Sequence, residues 1–172
     1  MQITVIGTGY VGLTVGACLA NVGHSVICVD KNIQKIEQLS AGSITIYEPE
    51  LEDIVKNNLK KNTLQFTSDI EAAVKVSEVC FITVGTPQNN DGTVNLSSVL
   101  DVAERIKKSL NGYKVIVLKS TVPVGTTEKI AEVIGNAYNC DFIYNPEFLR
   151  QGNAVENFTC PDRLIIGSNS EK

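Results

Sequence analysis

Apolar residues in this chain fall into two kinds of run, and the two alternate. Short β-branched stretches recur at Gln2–Ile6, Ser25–Val29, Leu64–Thr67, Val79–Val84, Lys114–Leu118, Phe142–Tyr144 and Leu164–Ile166. Several are apolar on consecutive positions, the mark of strands covered on both faces. Between them apolar residues recur at helical spacing, as in Val11, Val15, Cys18, Leu19 and Val22, or in Val99, Leu100, Val102, Ala103 and Ile106. Strand and helix in repeated alternation predict an α/β fold, a doubly wound, mostly parallel sheet with helices on both faces.

Local signals place the helix ends. Gly23-His24 closes the first helix. Ser68-Asp69-Ile70-Glu71 reads as a capping box before Ala72, Ala73, Val74 and Val76. Asn95 is expected to cap the helix that carries Leu96 to Ile106, and Thr126 or Thr127 the one after Gly125. Pro49 suits the opening turn of a helix with Leu51, Ile54, Val55 and Leu59. The crossover from the second strand to the third then holds two helices, near 32–40 and 49–60. Glu48, Glu50, Glu52 and Asp53 read as an acidic first turn of the second, favoured by the helix dipole.

Composition adds little to this picture and excludes some classes. At 172 residues, 43% hydrophobic and 20% charged, residues 1–172 suit one soluble domain. A net charge of −4 offers no basic stripe for nucleic acid. No run approaches the ~20 apolar residues of a membrane span, and no basic-then-apolar leader precedes the first strand, so the expected location is cytoplasmic. The five cysteines show no CxxC pair and no histidine at metal spacing, so no metal site is expected. Cys160, in a loop beside Pro161, is either a reactive thiol or a passive one.

The first strand runs into Gly7-Thr8-Gly9-Tyr10-Val11-Gly12 and a helix. Gly7 suits a tight turn, Gly9 removes a Cβ that would block a pyrophosphate, and Gly12 lets the helix lie close on the strand. The helix N-terminus offers free N–H groups to phosphate. Asp30 ends the second strand, where a carboxylate accepts ribose hydroxyls. Together these predict a dinucleotide site, the alternative being a Rossmann-like unit with an empty turn. A carboxylate beside a 2′-phosphate is repulsive, so Asp30 favours NAD over NADP, with Lys31 softening the repulsion. Lys35 either reaches the adenosine ribose or lies on a solvated helix face.

Ligands of doubly wound sheets lie beyond the carboxyl ends of the strands. Three loops there are unusual. Val84-Gly85-Thr86-Pro87 allows close backbone approach and offers a hydroxyl, or is a plain turn. In Lys119-Ser120-Thr121-Val122-Pro123-Val124-Gly125, Ser120 and Thr121 are expected to point at the nicotinamide end of a cofactor. In Asn145-Pro146-Glu147-Phe148-Leu149-Arg150-Gln151-Gly152, Glu147 is either a general base or a capping carboxylate for the next helix.

The segments GTGYVG, IYEPELE, VGTP, KSTVPVGT, NPEFLRQG and PDRLIIG, in this order across nearly the whole chain, resemble the N-terminal domain of the nucleotide-sugar dehydrogenases. KSTVPVGT is most similar to the UDP-glucose 6-dehydrogenase branch, with GDP-mannose and UDP-N-acetylmannosamine enzymes as alternatives. The resemblance implies oxidation of a sugar C6 alcohol to a carboxylate with two NAD and one water, through a cysteine thiohemiacetal and thioester. It implies NAD contacts at Gly7, Gly9, Tyr10, Val11, Gly12, Asp30, Lys35, Val84, Gly85, Thr86, Ser120, Thr121 and Gln151. Glu147 matches a carboxylate that acts on water in thioester hydrolysis, and Thr121 a hydroxyl that orders this water. Glu147, Phe148, Leu149, Arg150 and Gln151 match a nucleotide-sugar cleft. The family commonly has glutamate where this chain has Gln151, an amide without acid/base capacity. The family's nucleophilic cysteine and its lysine and asparagine partners match nothing before Glu171-Lys172. The expectation is an excised cofactor domain, inert alone, from an enzyme whose other half takes most of the UDP-glucose and forms a homodimer. A non-catalytic NAD-sensing module is the rival reading.

Overall fold

The computed structural model describes residues 1–135, 139–168 and 170. The end at Glu171-Lys172 lies outside the described residues. In chain order the elements are β1 (Gln2–Ile6), α1 (Tyr10–Asn21), β2 (Ser25–Val29), α2 (Ile33–Ser40), α3 (Leu51–Lys60), β3 (Leu64–Thr67) and α4 (Ile70–Val76). They continue with β4 (Val79–Ile82), α5 (Ser97–Ser109), β5 (Lys114–Leu118), α6 (Thr126–Ile134), β6 (Cys140–Tyr144), α7 (Ala154–Thr159) and β7 (Gly167–Ser168). Among the described residues the strands form one sheet in the order β3-β2-β1-β4-β5-β6-β7. All neighbours are parallel except β7, which runs antiparallel to β6.

Two apolar layers explain the consecutive apolar runs. On one face Ile6, Cys80, Ile82, Ile116 and Leu118 pack with residues of α4, α5 and α6. On the other Ile3, Val5, Val26 and Cys28 pack with α1, α3 and Val155 of α7. Side chains alternate across a strand, so a sheet covered twice needs apolar residues at both parities. The register then levels the strand ends. Ile6 lies beside Val29 and Ile82, Ile82 beside Leu118, and Leu118 beside Tyr144. Residues 7, 30, 83, 119 and 145 therefore begin five loops along one rim.

Several helix starts differ from the sequence reading. Asp69, not Ser68, caps α4 by accepting from the Ala72 N–H at 3.0 Å, and its own N–H donates to the Thr67 hydroxyl at 3.1 Å. Asn95 accepts from the Ser97 N–H at 2.9 Å as a turn just before α5, whose N-cap is Leu96. Glu50, in the left-handed region at φ 65°, stands between Pro49 and α3. Left-handed Gly125 caps α6, and the Thr126 hydroxyl donates instead to Pro123 O at 2.6 Å. Leu164–Ile166 is not a strand, and these side chains are exposed. Ser168 pairs with Ile143 and Gly167 with Tyr144, so residues 164–166 run past the end of β6, where the chain leaves the sheet at Pro146.

Candidate functional site

The glycine turn separates three requirements. Gly7 has φ 101°, and a Cβ there would meet Thr83 O at 2.9 Å. A Cβ on Gly12 would sit 1.7 Å from Gly7 O and 2.5 Å from Thr83 Oγ1. Thr83 itself donates to Ile6 O or Gly7 O, at 2.9 and 2.8 Å, and so ties β4 to the turn. The sequence reading missed Thr83, whose only signal was a hydroxyl at the end of an apolar run. Gly9 differs from the other two: it caps α1 at φ −67°, and no atom lies within 4 Å of a Cβ built on it. Nothing in the chain requires glycine there, whereas a phosphate approaching the N–H groups of α1 does.

Asp30 stands beside this turn. Its Oδ2 accepts from the Thr8 N–H at 3.0 Å and the Thr8 hydroxyl at 2.7 Å, with Lys35 Nζ at 3.3 Å, and its Oδ1 accepts from the Asn32 N–H at 3.1 Å. Burial pushes its carboxyl up, but the Thr8 hydroxyl, the two N–H groups and the Lys35 ammonium outweigh it and hold the carboxyl below its ordinary value. A carboxylate accepts at about four positions, and Oδ2 is crowded, so Oδ1 has room for a ribose hydroxyl. A cleft of about 270 Å³ joins Gly7, Gly9, Asp30, Lys35, Val84 and Gly85. Its far wall is α5, through Ser98, Asp101 and Arg105, which the sequence reading did not single out. Their polar face looks like any solvated helix side until the fold turns it toward Asp30.

Other residues of the sequence reading lie outside this cleft. Tyr10, Val11 and Gly12 begin α1, and Val11 packs against the core. The Thr86 hydroxyl donates to Thr121 O at 2.8 Å, and the buried Ser120 hydroxyl to Val84 O at 2.7 Å. These two hydroxyls lace the β4 and β5 loops together instead of standing free, because the two strand ends are adjacent and leave backbone carbonyls to satisfy. Thr121 is exposed on the rim.

At the mouth of β6, Glu147 does not cap α7, whose N-cap is Asn153. Its Oε1 accepts from the Phe148 and Leu149 N–H groups at 2.7 and 3.1 Å. Its Oε2 lies 2.8 Å from the ammonium of Lys119, a side chain 5% exposed, but has no aligned hydrogen-bond donor among the described residues. Beyond it Phe148, Arg150 and Gln151 are exposed and Leu149 is half-buried, an open strip on the same rim.

Glu48 overturns its sequence reading. It does not serve the dipole of α3 but is 3% exposed and accepts from the Tyr10 hydroxyl at 2.6 Å, the Gly152 N–H at 3.0 Å and the Ala154 N–H at 2.6 Å. One carboxylate thus pins the start of α1 to the loop that carries Glu147. Burial pushes Glu48 up, the Tyr10 hydroxyl and the two N–H groups pull it further down, and the net position is below the ordinary glutamate value. Its stabilisation is complete above the unfolded value and is lost as pH falls through the lower folded one. We expect Glu48→Ala to cost about 2–3 kcal/mol by stranding buried donors, read from urea denaturation. The difference between variant and wild type should shrink in acid; a pH-independent difference would contradict this origin.

A larger cavity, about 640 Å³, lies between α6 and β6 and contains none of the glycine-turn residues. Among the described residues no helix is long and apolar enough to cross a membrane, and no three of His, Cys, Asp and Glu cluster as metal ligands do.

Comparison with known proteins follows the same geometry. The family model of the UDP-glucose/GDP-mannose dehydrogenase family, NAD binding domain, matches residues 1–172. A UDP-glucose 6-dehydrogenase of Rhizobium meliloti is 47% identical over 97% of this chain, and the chain spans 39% of that relative's length. A UDP-glucose dehydrogenase structure from Pyrobaculum islandicum superposes with TM-score 0.93 at 37% identity, over 98% of this chain and 41% of that one. A GDP-mannose dehydrogenase from Pseudomonas aeruginosa gives TM-score 0.93 at 32% identity, over 99% and 42%.

Proposed function

This chain belongs to the UDP-glucose/GDP-mannose dehydrogenase family as its NAD-binding domain, with NAD as cofactor, and from that premise we propose that it serves a UDP-glucose 6-dehydrogenase. The complete protein oxidises UDP-glucose to UDP-glucuronate with two NAD and one water, as a cytoplasmic homodimer whose other half supplies the cysteine nucleophile and most of the sugar site. The observation that carries the cofactor role is Gly9, a helix-capping glycine with open space where its Cβ would be. Among the solved structures the UDP-glucose enzyme is 37% identical and the GDP-mannose enzyme 32%, and UDP-glucose 6-dehydrogenases of Rhizobium meliloti and Bacillus subtilis reach 47% and 46%, which favours UDP-glucose.

NAD, when bound, supplies the hydride acceptor. Gly7 to Gly12 would hold the phosphates at the N-terminus of α1, Asp30 would accept from a ribose hydroxyl, and Lys35 pairs with that carboxylate. Val84, Gly85 and Thr86 flank the cofactor, and the Ser120 and Thr121 loop is laced to them. Glu147 is the base that takes a proton from water, and Thr121, on the neighbouring loop, orders that water. Phe148 to Gln151 face the nucleotide sugar.

Calorimetric titration of the complete protein is expected to show NAD binding about 100-fold more tightly than NADP, about 2.7 kcal/mol. Two like charges about 4 Å apart near a protein surface repel by up to about 4 kcal/mol, and Lys31 and Lys35 offset part of it. Equal binding would remove Asp30 from cofactor choice. NADH formation with UDP-glucose, and not with GDP-mannose, tests the sugar; the reverse preference would refute this substrate.

A further inference from the structure

Glu147 has two unlike oxygens. Oε1 is saturated by the N–H groups of Phe148 and Leu149. Oε2 is buried and has the Lys119 ammonium at 2.8 Å, yet that contact is out of line for a hydrogen bond. Lys119 aims instead at Asn145 Oδ1, 3.0 Å away, and Asn145 donates onward to Ile165 O at 2.8 Å. The ammonium therefore ties the β5 loop to the β6 loop: Asn145 holds it, and its charge lies against the buried Oε2 of Glu147. Among the described residues no other charged side chain pairs with either member. Asn145 and the two backbone N–H groups are the neutral dipoles around them.

We propose that Lys119 is a positioning residue for the reaction, whose buried ammonium, itself held by Asn145, fixes the Glu147 carboxylate at the mouth of β6. The inference rests on the reading of Glu147 as base given above. In hydrolysis of an acyl thioester formed on a cysteine outside this chain, a water O–H bond breaks as its oxygen bonds the acyl carbon. The proton goes to the Glu147 carboxylate, and the C–S bond then breaks with its electron pair leaving on sulfur. Without the ammonium, Oε2 loses its charged partner among the described residues, and the carboxylate is free to turn away from the water.

The test is the rate of the hydrolytic half-reaction, set against the first hydride transfer, in the full-length protein. Lys119→Met is expected to slow hydrolysis about tenfold or more, and Lys119→Arg to restore it, with NAD affinity and the first hydride transfer unchanged in both. Hydrolysis at the wild-type rate in Lys119→Met overturns the proposal. Hydrolysis at the wild-type rate in Glu147→Gln defeats the reading of Glu147 instead, which separates the two failures. Should Lys119→Met not fold, Lys119→Gln, which keeps a donor to Asn145 without the charge, decides in its place: slowed hydrolysis supports the proposal, and the wild-type rate overturns it.

Discussion

Gly12→Ala is expected to abolish NAD binding and to destabilise the protein by about 3 kcal/mol or more, whereas Gly9→Ala abolishes binding and leaves stability nearly unchanged. The added methyl at residue 12 would lie 1.7 Å from Gly7 O and 2.5 Å from Thr83 Oγ1. Real carbon–oxygen contacts are about twice the shorter distance, so α1 must withdraw from the turn by more than an ångström. Neither neighbour can give way: Gly7 is fixed by its N–H on Val29 O at 2.7 Å, and Thr83 bonds Ile6 and Gly7. Withdrawal opens the layer of Leu13, Val15 and Ala17 against β1 and β2, and it takes the helix N–H groups away from the phosphates. At residue 9 the same methyl meets no protein atom and the backbone is in an ordinary region, so only the ligand is excluded. Thermal unfolding in the absence of NAD separates the two. Gly12→Ala should lower Tm by about 6–12 °C, at about 2–4 °C per kcal/mol, and Gly9→Ala by less than about 2 °C. Equal losses of stability would mean that Gly9 is also a packing glycine and would remove the inference that its space belongs to a phosphate.

The contrast shows what local sequence reveals. The strand, glycine turn, helix and Asp30 are legible because each requirement is met within a few residues, and the two-faced burial of the strands shows as consecutive apolar positions. Boundaries set by tertiary pairing are not legible. Leu164–Ile166 has strand composition, but its place in the ladder is fixed by β6 ending at Tyr144. The cap of α4 is Asp69 and not Ser68, since the helix starts one residue later, at Ile70. Glu48 is the clearest case. In sequence it is one acid among four before a helix, while its N–H donors are 104 and 106 residues away. Lys119 likewise has no local signal, since its partners Asn145 and Glu147 lie on the neighbouring strand's loop. Residues whose chemistry depends on contacts across the rim become visible only when β5 and β6 are placed side by side.

Glu147→Gln in the complete protein is expected to slow the hydrolytic step by about 10²–10⁴-fold while leaving the first oxidation largely intact. The two N–H groups of Phe148 and Leu149 demand an acceptor where Oε1 now stands, so the amide oxygen takes that place and the NH₂ group falls at Oε2. That position then carries donors toward the Lys119 ammonium, itself a donor, and no basic lone pair remains to receive a proton from water. The buried ammonium keeps only Asn145, so some loss of stability accompanies the kinetic effect and should be measured alongside it. Rapid mixing with NAD and UDP-glucose should show a burst of NADH followed by near arrest, and intact mass of the quenched protein should show a covalent sugar adduct. Steady turnover at the wild-type rate, without adduct, would remove Glu147 from the chemistry. A lost burst in a well-folded variant would place its role before hydrolysis, because a base needed only for water has no part in the first hydride transfer.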